Sequence, residues 1–330
     1  MRAWLINDFS GLGALHLAEV PDPVPGPGEV LLRVHFAALN PADRYLAEKL
    51  YPLRPPLPHI LGRDGLGTVV KLGSNVDGIK LGDVRMILRG ETGGSRAGTF
   101  AEYVIVAVND LAAPPEGWTE EQASGAVLVY LTAHQALTMW GNLPPGSVVL
   151  VTGASGGVGI ASVQLALAMG HRVISLSRRP EKRQALEQMG CLLALDPANP
   201  AWRTQVKTQA RLRVNLAIDN VGGTLLPEVI DTLADNGVVS LVGRLAGTVP
   251  DFNTATLFFR RLRLGGVAVG ATTRDESIKA WEQVLALLQQ AGFKPIVDSV
   301  FPFDRLPQAF EHLAQGPMGK VLLAATPPRG

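Results

Sequence analysis

Apolar and polar positions follow two different rhythms along the chain. Up to about residue 118, apolar residues come in short runs separated by glycine and proline. Residues 15–20, 30–36, 67–73 and 100–106 read as strands. Between the first two, Pro21, Pro23, Pro25 and Pro27 alternate. That spacing forbids a helix or a central strand and leaves an extended surface connection. Short strands divided in this way predict a β-rich, barrel-like module. Residues 120–140 carry helical spacing, which Pro144-Pro145-Gly146 ends.

From residue 147 the rhythm changes. Residues 148–151 form a continuous apolar run, as a strand buried on both faces requires. A glycine cluster and an apolar helix over 157–169 follow. The spacing then predicts strands at 172–176, 191–195, 214–218 and 237–242, with a helix over 180–189. Alternation of this kind means βαβ units and a parallel sheet. After about residue 291 short β segments return, at 296–301 and 320–323. The expected fold is α/β. A doubly wound parallel-sheet domain (residues 119–291) is inserted in a β-rich domain made of residues 1–118 and 292–330.

Composition narrows the function. Of 330 residues, 47% are hydrophobic and 18% charged, which suits a large core and argues against disorder. Thirty basic residues face 29 acidic ones, so no global field holds nucleic acid or an anionic membrane. For the same reason the run Phe258-Phe259-Arg260-Arg261-Leu262-Arg263-Leu264 reads better as a helix end with solvated arginines than as a nucleic-acid contact. No run of about 18 apolar residues is present to span a membrane. Asp8 comes too early for a signal peptide, so the expected location is cytoplasmic. The single cysteine, Cys191, excludes an intrachain disulfide, a cysteine-rich zinc site and iron–sulfur ligation. Its place in the third strand of the α/β domain suits a small buried thiol.

The strongest local signal is Gly153-Ala154-Ser155-Gly156-Gly157-Val158-Gly159, between a strand and a helix. Bare backbone lets N–H groups approach a pyrophosphate, and the helix N-terminus adds partial positive charge. The alternative is a tight turn without a ligand. Ala154 stands where the usual fingerprint has its first glycine. An NAD site normally ends the second strand in Asp or Glu, on the ribose hydroxyls. Here the sequence is Ser175-Leu176-Ser177-Arg178-Arg179-Pro180-Glu181-Lys182, with no acid at the strand end. Arg and Lys suit a 2′-phosphate. The expected cofactor is therefore NADPH, with Ser177, Arg178 and Lys182 at its phosphate; a solvated basic helix start is the alternative.

Taken in order, several segments resemble the medium-chain dehydrogenase/reductase superfamily, and within it the zinc-free quinone oxidoreductase (zeta-crystallin-like) branch. They are Asn40-Pro41-Ala42-Asp43, Gly62-Arg63-Asp64-Gly65-Leu66-Gly67-Thr68-Val69, Gly98-Thr99-Phe100-Ala101-Glu102-Tyr103, Thr132-Ala133, the glycine loop, Asp219-Asn220-Val221-Gly222-Gly223 and Gly319-Lys320-Val321. The resemblance covers essentially the whole chain. It implies a Rossmann domain inserted in a GroES-like, partly open barrel catalytic domain, and a homodimer joined by an edge strand near Val267-Ala268-Val269. Zinc-dependent members carry a Cys ligand, a Gly-His-Glu motif and a four-cysteine lobe. This chain has Ala37-Ala38-Leu39-Asn40-Pro41 at the ligand region, Arg63-Asp64 in place of His-Glu, and a lobe shortened to residues 90–98. A lone His59 is a poor zinc site. No metal is expected.

Without a Lewis acid to stabilise an alkoxide, hydride addition to an already electrophilic carbon is favoured over alcohol oxidation. The expected function is NADPH-dependent reduction of a quinone or an α,β-unsaturated carbonyl, with a small electrophile as substrate. The alternatives are an enoyl-thioester or 2-alkenal reductase, or a non-catalytic NADPH-binding protein. Such chemistry needs a proton source. The resemblance places Asn40, Asp43, Tyr45 and Tyr51 by the nicotinamide ribose; the proton donor is Tyr51 or a water ordered by Asn40. A free phenol has a pKa of about 10 and carries its proton at neutral pH. The competing readings are a loop aromatic for Tyr51 and a turn former for Asn40. By position, the resemblance adds Thr132 at a helix start, Ser155, Gly156, Gly157 and Val158 in the glycine loop, and Asn220, Val221, Gly243, Val267 and Val269 at strand ends.

Overall fold

In the computed structural model, residues 1–88, 91–208, 213–248 and 252–325 are described; the first residue of the shortened 90–98 segment falls outside them. The early strands are β1 (Arg2–Ile6), β2 (His16–Glu19), β3 (Glu29–Ala38), β4 (His59–Ile60), β5 (Asp64–Leu72), β6 (Val84–Ile87), β7 (Tyr103–Ala107) and β8 (Leu111–Ala112). A second series follows: β9 (Val148–Val151), β10 (Arg172–Leu176), β11 (Leu193–Leu195), β12 (Val214–Asp219), β13 (Leu233–Leu241) and β14 (Arg263–Gly266). The last two are β15 (Val297–Pro302) and β16 (Lys320–Ala324).

The chain divides into two compact units. One holds residues 1–128 and 273–278 and the chain from Lys294 on; the other holds residues 129–272 and 279–293. In the first unit, β15, β16, β3, β5, β6 and β8 form one sheet in that order, with β7 also on β3. Only the β15–β16 pair is parallel. A smaller sheet has the order β2–β1–β4. Strand β3 thus pairs with three neighbours, as in a sheet curling toward closure. Trp4, Ile6, Leu32, Leu39, Leu46, Phe100 and Leu323 are buried in its core.

The second unit is built on six parallel strands in the order β11–β10–β9–β12–β13–β14. Numbered within the unit this is 3-2-1-4-5-6, the doubly wound Rossmann order. Its first strand, β9, is Val-Val-Leu-Val and buried at every position, because it lies in mid-sheet with both faces covered. The helix that follows has eight successive buried residues from Gly159 to Ala166, all but Ser162 and Gln164 apolar, so it is covered all round for the same reason.

Four expectations need correction. Residues 120–140 hold two helices, Glu120–Ser124 and Val127–Thr138, because Gly125 ends the first of them. Cys191 precedes the third strand rather than lying in it. Its N–H bonds to Leu186 O at the end of the helix before, and burial pushes its thiol up to about 11, as in an inert packing residue. Residues 100–102 fall outside the strand that begins at Tyr103; Phe100 packs edge-on against Phe310 instead. The sheet's outer strand is Arg263–Gly266, so Val267-Ala268-Val269 run beyond it. Among the described residues no helix is long and apolar enough to cross a membrane.

Candidate active site

In the second unit, β9 and β12 are neighbours from which the chain departs to opposite sides of the sheet. A crevice at such a switch point is where open parallel sheets take ligands. Two buried side chains tie the ends of these strands together. Thr152 Oγ1 donates to Asp219 Oδ1 at 2.6 Å, and Asp219 accepts the N–H groups of Val221 and Gly222 at 3.1 Å. Asn220 Nδ2 donates to Thr152 O at 2.8 Å. Its Oδ1 is buried and, among the described residues, has no hydrogen-bond partner: an orphaned acceptor beside the glycine loop.

The loop is shaped by close backbone approach. Gly153 has φ +57°, and a Cβ on Gly159 would lie 2.2 Å from Gly153 O, so a side chain there is excluded. Gly156 is different: a Cβ there would meet nothing nearer than Gly153 O at 3.5 Å. The space over Gly156 is therefore not needed by the protein's own packing. Ser155, Gly157 and Val158 are half-buried beside it, and the helix Gly157–Ala168 begins with no side-chain cap and no acid in its first turn. Its leading N–H groups are left to an outside acceptor. An uncapped helix, space over a glycine and an orphaned acceptor together fit a dinucleotide.

At the end of β10, Ser177 is buried with its Oγ 3.5 Å from Ser155 Oγ, Arg178 is exposed, and Lys182 is buried in the first turn of the helix Pro180–Met189. Sequence reasoning missed Arg183. Its Nη1 donates to Ser177 O at 3.0 Å and Arg178 O at 2.7 Å and pairs with Asp196 at 3.2 Å, pinning the strand end. Asn220 and then Val221 follow β12, and Gly243 lies just past β13 with its N–H on Asp219 O. Val267 follows β14 and donates to Leu241 O, and Val269 opens a short 3-10 turn. Thr132 lies mid-helix within Val127–Thr138, not at a helix start.

The first unit holds a buried polar cluster. Asn40 caps the helix Pro41–Ala47, and Asp43 three residues on accepts the Asn40 N–H at 2.9 Å, a reciprocal capping box. Asn40 Nδ2 donates to Asp64 Oδ2 at 2.9 Å and to Ala38 O at 3.2 Å, while its Oδ1 accepts from Lys320 Nζ at 2.6 Å. Lys320 also reaches Asp64 at 3.4 Å. Both amide hydrogens of Asn40 and its oxygen are thus engaged, which suits a brace better than a water-ordering group. Burial pushes the Lys320 ammonium down and the Asp43 carboxyl up to about 6.

Arg63 stands at the rim of this cluster, just after Gly62, whose φ is +101°. Its Nε lies 3.7 Å from Asp43 Oδ1, its guanidinium carbon 4.3 Å from the centre of the Tyr51 ring, and its Nη1 donates to Tyr51 Oη at 3.2 Å. Tyr45, on the capped helix, is half-buried. His59 is buried, its Nε2 has no hydrogen-bond partner among the described residues, and burial holds its pKa below the usual value. Asp64 and Lys320 had no assigned role in the sequence; they are 256 residues apart, and no local spacing links them.

Residues 26–116 match the alcohol dehydrogenase GroES-like domain, and residues 157–290 match the zinc-binding dehydrogenase domain. The zinc-type alcohol dehydrogenase-like protein C1773.06c of Schizosaccharomyces pombe is 30% identical over 98% of this chain and 99% of its own length. The chain belongs to the medium-chain dehydrogenase/reductase superfamily. It falls in the quinone-oxidoreductase-like branch: human quinone oxidoreductase is 27% identical over 98% of this chain and 97% of its own. The human synaptic vesicle membrane protein VAT-1 homolog is 30% identical over 99% and 87%. Among solved structures, an NAD-dependent alcohol dehydrogenase superposes with a TM-score of 0.89 at 28% identity, covering 99% of this chain and 100% of that one. Mycobacterial Rv1454c, solved with NADPH, gives 0.88 at 26%, covering 98% and 100%. The β-rich unit is GroES-like and the parallel-sheet unit Rossmann-type, as the superfamily requires.

Zinc, which the family description names, does not fit the residues present. A guanidinium occupies position 63, and Asp64 is already held by Asn40 and Lys320. Among the described residues no group of three or more His, Cys, Asp or Glu is placed to hold a metal ion.

Two outcomes follow. Gly159→Ala should destabilise the protein by about 1–3 kcal/mol in urea unfolding, since the loop backbone has to move. The raised Asp43 carboxyl takes up a proton on folding between its unfolded value of 3.8 and about 6. Wild-type stability should therefore fall, relative to Asp43→Asn, as pH rises through that window, by on the order of 3 kcal/mol in full. Paired denaturation curves from pH 4 to 7 measure it; a flat difference refutes it.

Proposed function

We propose that this oxidoreductase is a zinc-independent, NADPH-dependent reductase that transfers hydride to a quinone or an α,β-unsaturated carbonyl. The observation that carries the reading is the pair at positions 63 and 64. Where a metal site would need donors, the chain has an arginine on a phenol and an aspartate neutralised by a lysine. That arrangement suits an acceptor that is electrophilic without a Lewis acid.

NADPH is favoured over NADH by the end of β10, where Ser177, Arg178 and Lys182 offer donors and positive charge to a 2′-phosphate. Asp196, the nearby acid, is paired with Arg183. Bound there, NADPH supplies a hydride; the remaining work falls to the protein. Ser155, Gly156, Gly157 and Val158 hold the pyrophosphate, while Asn220, Val221, Gly243, Val267, Val269 and Thr132 serve as further cofactor contacts. As the acceptor carbon gains the electron pair, its conjugated oxygen becomes negative. Tyr51 gives that oxygen its phenol proton and recovers one from water, while Asn40, Asp43 and Tyr45 hold the segment that carries it.

A thioester substrate would call for free cations at the entry. Three arginines that could serve are engaged: Arg54 donates to the carbonyls of Lys49, Tyr51 and Leu53, Arg63 to Tyr51, and Arg96 pairs with Glu29 at 2.7 Å. Small neutral acceptors fit better.

Absorbance assays should show NADPH consumption with quinones and enones and little with enoyl thioesters. No turnover on any of the three, with tight NADPH binding, would favour a non-catalytic role. Arg178→Asp should raise the Kd for NADPH about 10–100-fold, the loss of a charged hydrogen bond worth about 1.5–3 kcal/mol, and leave that for NADH nearly unchanged. Equal effects on both cofactors would remove Arg178 from the phosphate site.

A further inference from the structure

Arg63 is a costly residue for the fold. Its Nε and Nη2 are buried and lack hydrogen-bond partners among the described residues, and so does Asp43 Oδ1, 3.7 Å away. Buried charged donors left without a hydrogen bond destabilise a protein, so their retention asks for another reason. Among the described residues the guanidinium donates to Tyr51 Oη, at 3.2 Å, and its carbon lies over the Tyr51 ring, 4.3 Å from the centre.

We infer that Arg63 is a positioning residue: it fixes the Tyr51 phenol and turns its proton outward for delivery to the acceptor oxygen. This rests on the function proposed above. A guanidinium has donors only, so in this bond Tyr51 Oη must accept. The phenol's own proton is then left unspent, ready for an outside acceptor. After that proton leaves, the oxygen carries a negative charge that already faces a cation, and the proton from water returns it to the starting state. Asp43 anchors the arginine from the other side, and Asp43 is itself fixed by the capping box on Asn40. The chain of contact runs from a helix start, through a carboxylate and a guanidinium, to a phenol. Neither Arg63 nor Asp43 needs to touch substrate.

The test is a double-mutant cycle with Arg63→Lys and Tyr51→Phe. Lysine keeps the charge beside Asp43, which protects folding, but loses the planar fork and the stack. Arg63→Lys should lower kcat about tenfold, as expected for one charged hydrogen bond, with the Kd for NADPH unchanged in fluorescence titration. In the Tyr51→Phe background the same change should have no further effect on kcat. An equal fall in both backgrounds, or none in either, overturns the inference. A second readout needs no turnover. The Nε–H resonance of Arg63, assigned by its loss in Arg63→Lys, should lie upfield under the Tyr51 ring and move downfield in Tyr51→Leu. A resonance already at the position of exposed arginines means the stacked pair does not form, and the inference fails. If no acceptor is reduced but that shift is present, the proposed function fails while the pairing stands.

Discussion

A lysine ammonium buried in an apolar interior must be neutralised, and much of the β-rich unit is arranged around that need. Lys320 is 5% exposed, and its Nζ reaches Asn40 Oδ1, Leu39 O and Asp64. Those contacts bring together the end of β3, the start of β5 and the start of β16. Removing one member of such a buried pair generally costs about 3–5 kcal/mol, because a lone charge is left behind. Replacing the whole set with apolar residues would not carry that cost. The cluster is therefore better understood as fixing a unique arrangement of three distant segments than as a source of net stability. That arrangement places Asn40, and through its helix cap Asp43, where Arg63 can be held.

The parallel-sheet unit uses a neutral–charged version of the same device. Asp219 is fully buried and satisfied by Thr152 Oγ1 and by two backbone N–H groups. It fixes the ends of β9 and β12 relative to one another and so sets the width of the switch-point crevice. Where the two networks differ is in what they leave unsatisfied. Around Asp219 the orphan is a neutral amide oxygen, Asn220 Oδ1; around Asp43 it is a guanidinium edge. A neutral acceptor suits the hydroxyl or amide donors of a dinucleotide, whereas the guanidinium spends its remaining nitrogen, Nη1, on the phenol it orients.

Local chemistry was legible in the sequence and long-range pairing was not. Residues 148–151, 172–176 and 180–189 were read with the bounds the structure has, because β9 is uniformly apolar and Pro180 opens its helix at the first turn. The glycine loop could be read because Gly159 obeys a steric rule that any sequence must obey. Boundaries failed where tertiary contacts override local pattern. Residues 120–140 kept one helical rhythm across a break at Gly125, and Cys191 continued an apolar run that the sheet does not use. In sequence, position 63 reads as a missing histidine or as a cation near the entry. That an arginine there would lie on Tyr51 depends on the Gly62 turn and on Asp43, neither of which leaves a periodic trace.

Asp196 shows how a charge can be present and yet not count. Read along the chain, it is an acid at the end of the third strand, on the side where a phosphate would have to bind. Read in space, its carboxylate is spent on Arg183, which is also bonded to the carbonyls of Ser177 and Arg178. The pair is about a quarter exposed, so solvent weakens its energy, but its sign still matters locally. With Asp196 neutralised, Arg178 and Lys182 set the field at the strand end, and the hydroxyl of Ser177 lies within it. On the function proposed above, the preference for a phosphorylated dinucleotide depends on an arginine that need not touch the phosphate at all. Arg183 removes the competing anion and holds the backbone from which Arg178 extends.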